Sequence, residues 1–437
     1  MTTKTQLKKN ELTNSKFGKW GWSIILYSFL LYYFWAGLAV DGLNIYPTAF
    51  AATYGLDPHT LLGYATPAGI LGVIGGIIAG RLILKTGPRK MSGVAVIITG
   101  LLYMMFGYLG NTYGMYLLFL TLFTVVSTAF GLIANSALMS NWFPRKKGIA
   151  LGWSTMGAPF TTATFVAILA ILVGKFGIEK ACLFIGIAVV IFGIMTFFWV
   201  RDYPEEVGAY PDNLPVDRSV LEEQLKEIKE YKSPYTVKKL LMDKDMWLIS
   251  LGFGALWMVT VGIVSQYVPR MMSIGHDNAT ALKMLTVAAL IGIAGSYFWG
   301  WLDQKTNTKL ASIIYSASYI VALLLMIFAD STIATALSLV FVGLGIGGLL
   351  NLMPSMVITV YGRYDFAAAN SLISPIASLV QKFAFVLLAI TLTVSGGDFT
   401  LPYSIFIAID IIGAILLMLV TKNCKGRQDH IEEIVEA

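Results

Sequence analysis

Apolar residues in this chain gather in long runs, neither alternating in twos nor recurring as a one-sided helical stripe. Twelve runs fall near 22–48, 60–82, 91–110, 114–141, 147–173, 178–200, 246–271, 279–302, 311–329, 332–361, 367–395 and 401–421. A run of roughly 20 apolar residues, rising about 1.5 Å per residue, matches a hydrocarbon core about 30 Å thick. The pattern predicts an all-α membrane protein with twelve transmembrane helices. The longest polar stretch, 201–245, divides them six and six. The expected units are a tail at 1–21, a six-helix bundle at 22–200, a linker at 201–245, a second bundle at 246–421 and a tail at 422–437. Within the linker, Val220 to Lys232 reads as a charged, solvated helix. Thr236 to Lys244 reads as a short basic segment along the inner membrane face.

Composition agrees: 57% of residues are hydrophobic and 13% charged, where a soluble domain carries about a quarter charged. The net charge of +6 does not imply nucleic acid, because of where the cations lie. With the N-terminus inside, 26 of the 31 Lys and Arg residues fall in inside segments. They include Lys4, Lys8, Lys9, Lys16 and Lys19, then Arg81, Lys85, Arg89 and Lys90, then Arg145, Lys146 and Lys147. Lys175, Lys180, Arg270 and Lys283 fall at the outer surface, and Lys382 lies within a span. This bias is the positive-inside rule, and it puts both termini in the cytoplasm of a protein integral to the cell membrane. The first span is too long for a signal-peptide core and lacks a small-residue cleavage pattern, so it is expected to stay. Cys182 and Cys424 suggest no disulfide framework. His59, His276 and His430 lie in loops or the tail, so no metal site, cofactor or His-dependent catalytic cluster is expected. No enzyme is implied.

The chain repeats itself. Shifted by 220 residues, Gly55–Arg89 lies on Gly275–Lys309 without a gap. The positions Gly55, Asp57, Thr60, Leu62, Thr66, Ala68, Gly72, Gly75, Gly80, Leu82, Lys85 and Thr86 are identical in the second copy. Six helices per copy give both copies the same orientation, a parallel repeat about an axis along the membrane normal. Gly72, Gly76 and Gly80 share one face of the second helix, as Gly292, Ser296 and Gly300 do in the eighth. Small residues at this spacing let backbones approach closely where lipid gives no hydrophobic drive for association. Such smooth seams suit two halves that rock.

Gly80-Arg-Leu-Ile-Leu-Lys-Thr-Gly-Pro-Arg-Lys90 resembles the major facilitator signature between helices two and three. Leu84 replaces its acid and Pro88 one of its basic residues; the second copy supplies Asp303, one position early. Asn141-Trp-Phe-Pro-Arg-Lys-Lys-Gly-Ile-Ala-Leu-Gly-Trp-Ser-Thr-Met-Gly157 is similar to the monocarboxylate porter signature. Gly18-Lys-Trp-Gly-Trp22 resembles the start of the first helix in that family, with Phe17 where an acid is expected. Tyr203-Pro-Glu-Glu-Val-Gly-Ala-Tyr-Pro-Asp-Asn213 looks like the segment after helix six in the oxalate/formate antiporter branch. The resemblance implies an organic anion carrier, for a mono- or dicarboxylate. It also implies that helices one, four, seven and ten line the substrate path, with two, five, eight and eleven beside them. The family's oxalate-type members carry a lysine in helix eleven, about one turn earlier, near Ser378. They also carry an arginine in helix eight; Leu285–Trp299 contains none.

Polar groups near mid-membrane face a cavity or a partner. Lys382 in helix eleven is the sharpest candidate. It either contacts substrate or pairs with Asp410 in helix twelve, since a buried pair escapes the cost of an isolated charge. Asn135 and Asn351 occupy matching places in helices four and ten. Asn44 and Gln266 each stand three residues before a proline, Pro47 or Pro269. These amides suit hydrogen bonding to a bound anion or to one another. Asp41 is a candidate coupling acid. Among the aromatic residues of helices one and seven (Tyr27, Tyr32, Tyr33, Trp35 and Trp257), Tyr33 and Trp257 are candidate pocket walls, able also to cage a cation. Three functions remain open. The first is a secondary transporter of a small organic anion, by antiport or proton symport. The second is the same fold carrying a zwitterion or cation, using Asp41 and the aromatics. The third is a membrane sensor that does not transport.

Overall fold

The computed structural model describes residues 16–214, 218–328 and 332–427, and these contain helices but no strand. The tail cations Lys4, Lys8 and Lys9, and the stretch after residue 427, lie outside the described residues. Among the described residues, nine helical stretches are long and apolar enough to cross a membrane. Three of them hold two spans each, the tenth span beginning in Thr332–Ile346 and ending within Leu349–Val394, so the spans number twelve. The spans are α1 (Gly18–Ala39), α2 (65–86), α3 (88–109), α4 (Tyr113–Trp142), α5 (147–176) and α6 (178–199). The second half holds α7 (Lys244–Ser273), α8 (Asn278–Lys305), α9 (Thr308–Phe328), α10 (332–361), α11 (363–394) and α12 (Thr400–Met418).

Single glycines turn the chain between three pairs of spans. Gly87 (φ 75°, ψ 163°) separates α2 from α3, Gly177 (φ 78°, ψ 166°) α5 from α6, and Gly362 (φ 67°, ψ −179°) α10 from α11. That backbone region is essentially open to glycine alone, so each turn is made by one residue. Hydropathy alone predicts breaks of several residues there.

The internal repeat recurs as local geometry. Gly55 and Gly275 both take positive φ. Two residues on, Asp57 accepts from the Thr60 N–H and hydroxyl, each at 2.7 Å. Asp277 accepts from the Thr280 N–H at 3.0 Å and from its hydroxyl at 2.7 Å. These are N-caps that satisfy otherwise orphan helix donors. At the other end, Thr86 donates to the Leu82 carbonyl and Thr306 to that of Leu302.

Small residues set how the halves meet, and the glycine stripes divide their work. A Cβ on Gly72 would meet Thr124 and Thr128 of α4, and one on Gly292 would meet Gly343 and Ile346 of α10, each within its own half. Two turns further along, Gly80 backs onto Ser371 of α11 and Gly300 onto Gly148 and Gly152 of α5, across the halves. Two inter-half seams result, α2 against α11 and α5 against α8. Outward-facing positions stay apolar, as Ile70, Ile74, Ile77 and Ile78 on α2 illustrate, which suits lipid as the surrounding solvent.

One span departs from expectation. The first apolar run extends to residue 48, but α1 ends at Ala39, after which Asp41–Asn44 form a 3₁₀ turn and Tyr46–Tyr54 a separate helix. Pro47 sits in the first turn of that helix, where a missing N–H costs nothing. Pro269 lies within α7. The match between Asn44 and Gln266 therefore does not survive folding.

Candidate functional site

Lys382 lies on the α11 stripe Ser371, Pro375, Ser378, Lys382, a spacing that keeps all four on one helix face. That stripe faces α2. A Cβ on Gly80 would lie 2.7 Å from Ser371, one on Gly76 3.7 Å from Pro375, and one on Gly69 3.3 Å from the Lys382 Nζ. Leu379, Phe383, Val386 and Ile390 form the neighbouring exposed stripe. The lysine is thus half-buried in the seam between the two halves. Among the described residues it has no ion pair and no hydrogen bond.

The structure does not bring Lys382 and Asp410 together. Asp410 is fully buried, accepts a hydrogen bond from Ser316 of α9 through Oδ2, and leaves Oδ1 without a partner among the described residues.

The paired amides on α4 and α10 occupy equivalent irregularities. α4 widens into a π-turn at Ala129–Ala134 just before Asn135. α10 breaks at Gly347 and Gly348 just before Asn351. Gly131 abuts the Trp35 ring, and Gly347 abuts the Ser296 hydroxyl, so neither has room for a Cβ. Both amide ends of Asn135 are engaged: its Oδ1 accepts from the Ser28 hydroxyl at 2.5 Å and its Nδ2 donates to the Ser28 carbonyl at 3.2 Å. Asn351 donates to the Ser296 carbonyl at 2.9 Å, but its Oδ1 is buried and has no partner among the described residues. One asparagine fastens α4 to α1. The other keeps a free acceptor.

The remaining candidates separate. Asn44 is exposed and caps its own turn by donating to the Asp41 carbonyl. Gln266 is half-buried and has no hydrogen-bond partner among the described residues. Asp41 accepts from Thr162 of α5 at 2.9 Å. Tyr33 accepts from Thr164 of α5 and packs beside Phe160 and Phe165. Tyr27 bonds Ser92 and Thr196, which makes it a fastener of α1 to α3 and α6. The Trp257 Nε1 is buried and has no acceptor among the described residues.

Hydrophobicity alone did not reveal a latch at the basic face, the face that bears the α2–α3, α4–α5, α8–α9 and α10–α11 turns and the linker. Lys147, at the start of α5, donates to the Ser355 carbonyl at 3.0 Å and to the Thr359 hydroxyl of α10. Ser355 donates to Asp303 at 2.5 Å, and Gln304 donates to the Arg145 carbonyl at 3.0 Å. Among the described residues, every hydrogen bond directly joining the halves lies at this face. The linker adds a strap. Asp202 accepts from the Arg89 N–H at 2.6 Å, and Asp212 from the N–H groups of Arg145 and Lys146. Between them Glu205 takes a bidentate pair from Arg363 of α11, both bonds 2.8 Å and both side chains buried. Burial pushes the Asp202 and Asp212 carboxyls above the ordinary value, against the pull of Arg89 and of Arg145 respectively. In the sequence, the family-like segments 141–157 and 203–213 mark parts of this strap.

Two six-helix halves with a parallel repeat and crossed small-residue seams form a known architecture, and a profile of that family matches residues 24–384. The chain belongs to the Major Facilitator Superfamily. It is therefore an integral membrane transporter. It is 23% identical over 295 residues to the oxalate:formate antiporter of Oxalobacter formigenes, covering 67% of this chain and 66% of that protein. It is 24% identical over 321 residues to the inner membrane transport protein RhmT of Escherichia coli K12, covering 70% and 68%. The match thus spans about two thirds of each relative's length. Among solved structures, the proton:xylose symporter XylE bound to 6-bromo-6-deoxy-D-glucose superposes with a TM-score of 0.72 at 12% identity, over 94% of this chain and 98% of that one. The human organic anion transporter MFSD10 gives 0.67 at 11% identity, over 90% and 99%. At such identities the likeness carries the fold.

Proposed function

We propose that this major facilitator protein carries a small organic anion, a mono- or dicarboxylate, with Lys382 as the counter-charge. One observation carries the reading: an ammonium in the seam between the halves, off the lipid-facing stripe, with no acid beside it among the described residues. An ionisable group inside a membrane is costly unless partnered, and a carboxylate arriving from solution supplies the missing partner. The orphaned Trp257 N–H donor suits a carboxylate oxygen, and the Asn351 carbonyl suits a substrate hydroxyl or a protonated carboxyl. The relationship to an oxalate:formate antiporter points the same way. With the basic face in the cytoplasm, the latch at Lys147 and the Glu205–Arg363 strap close the inner side. Carboxylate neutralises Lys382 and lets the α2–α11 seam rearrange, giving alternating access by antiport or proton symport.

Purified variants in proteoliposomes test this with formate, acetate and oxalate. Lys382→Ala abolishes uptake of all three, Asp410→Asn retains it, and the double variant stays inactive. Uptake restored in the double variant overturns the reading, because Asp410 would then be the partner of Lys382.

A further inference from the structure

A second basic site lies outside the transport path, where the linker meets α7. The linker's short helix Val237–Leu241 is capped by the Thr236 hydroxyl, which accepts from the Lys239 N–H. Its Leu240 is buried, while Val237, Leu241 and the following Met242 are exposed at 41%, 45% and 78%. Trp247 in the first turns of α7 is also exposed, and its indole N–H donates to the Leu241 carbonyl at 2.9 Å. An apolar edge ending in a hydrogen-bonded Trp is the arrangement found where a helix meets the headgroup layer.

Beside this edge opens a cavity of about 510 Å³, lined by Tyr235, Thr236, Lys238, Lys239, Met242, Asp243 and Lys425. Its charges are not equivalent. Lys425 bonds Asp243 at 2.9 Å and also pairs with Asp245. Burial pushes Asp243 up, but the hydrogen bonds from Lys425 and Tyr361 outweigh it and hold the carboxyl below its ordinary value. The acid is thus committed to its partners. Lys238 and Lys239 have no acidic partner among the described residues; Lys239 lies over the Tyr235 ring, 4.6 Å from its centroid. Two exposed ammonium groups therefore line a cavity that shares Met242 with the exposed apolar edge.

We propose that this cavity holds the phosphate headgroup of an anionic phospholipid from the adjacent leaflet. Lys238 and Lys239 take the phosphate, and Val237, Leu241 and Met242 lie along the acyl chains. Charge complementarity selects the headgroup, and the apolar edge selects a lipid over a free anion. Because Lys425 closes one wall, a bound lipid also ties the C-terminal segment to the linker.

The test uses the full-length protein in neutral detergent, with phosphatidylglycerol, phosphatidylcholine or inorganic phosphate added. Native mass spectrometry counts retained lipid. The expected result is retention of phosphatidylglycerol but not phosphatidylcholine, and no protection by phosphate in thermal unfolding. Attraction worth about 1 kcal/mol per lysine implies roughly ten- to thirty-fold lower occupancy in Lys238→Ala/Lys239→Ala. Lys238→Arg/Lys239→Arg keeps the lipid, as does Lys85→Ala/Lys90→Ala at another turn of the same face. Equal loss in the Lys85/Lys90 variant, unchanged retention in Lys238→Ala/Lys239→Ala, or equal protection by phosphate would each overturn the proposal.

Discussion

The two seams between the halves derive from one repeated design, yet they differ in chemistry. Along α5–α8, Gly148 and Gly152 press against Gly300 and Ser296, and a Cβ on Gly148 would lie 2.5 Å from the Gly300 carbonyl. Trp153 and Tyr297 pack beside this line with ring centroids 5.0 Å apart and their planes tilted by 57°. Between Lys147 and Lys175, α5 has no ionisable residue. The α2–α11 seam is as close at its basic end, where Gly80 meets Ser371, but it then loosens past Pro375 and reaches Lys382. Symmetry supplies the bearing, and asymmetry supplies the chemistry. The α5–α8 seam offers a substrate no charge; the α2–α11 seam holds a lone cation, and the proposed carrier function rests on that difference.

Steric variants break this comparison most sharply. Gly300→Leu and Gly80→Leu are each expected to abolish transport, because the added side chain meets backbone across the seam. Overpacking costs about 1–3 kcal/mol or more, so thermal unfolding in detergent should fall as well. Gly76→Ala should be tolerated, since its Cβ finds contacts of 3.4 Å and 3.7 Å. Gly72→Ala should be tolerated too, because its nearest neighbours lie at 3.5 Å and 3.6 Å within its own half. Equal inactivation by Gly72→Ala and Gly300→Ala would mean that the division of the stripes is wrong.

The strap that closes the basic face comes next. Glu205→Gln leaves Arg363 buried without its counter-charge. Removing one partner of a buried pair costs about 3–5 kcal/mol, which thermal unfolding would register as a large drop. Replacing both residues together, as Glu205→Gln with Arg363→Met, should recover much of that loss. A single variant as stable as the parent would remove Glu205 and Arg363 from the latch.

Lys147→Ala should act less on stability and more on conformation, because a charged hydrogen bond contributes about 1.5–3 kcal/mol. Spin labels at Lys90 and Lys305, on opposite halves of the same face, should then move apart in pulsed electron resonance. Unchanged distances would show that the α5–α8 seam closes this side unaided.

The smallest effects should separate the two asparagines. Asn135→Ala leaves Ser28 without its side-chain partner and should cost about 1–2 kcal/mol in unfolding, with the substrate affinity of the remaining protein intact. Asn351→Ala should be nearly neutral in unfolding while weakening substrate affinity. The reverse pattern would exchange their roles.

Span number, the six-and-six division and the repeat were legible because hydropathy and glycine spacing record them locally. The one-residue turn at Gly362 was not, since a run of apolar residues says nothing about φ and ψ. The same limit hid the break after Ala39, where Val40 to Pro47 remain apolar enough to continue a span. It also made Asn44 a false counterpart of Gln266. Lys382 stood out as a lone charge in an apolar run. Whether it faced Asp410 or α2 is a tertiary fact, fixed by the rotation of α11. The Glu205–Arg363 pair, 158 residues apart, has no periodic signature at all. Asp212 was visible only within a family-like segment, not as the acid that receives the start of α5.

The most direct test of the central claim is carboxylate-dependent stabilisation of purified protein, comparing the parent with Lys382→Gln and Lys382→Arg. A ligand at 100 times its dissociation constant stabilises the bound state by about 2.7 kcal/mol, a shift readily seen in thermal unfolding. The account predicts that oxalate or formate raises the unfolding temperature of the parent and of Lys382→Arg, and leaves that of Lys382→Gln unmoved. Equal stabilisation of the parent and Lys382→Gln would contradict it.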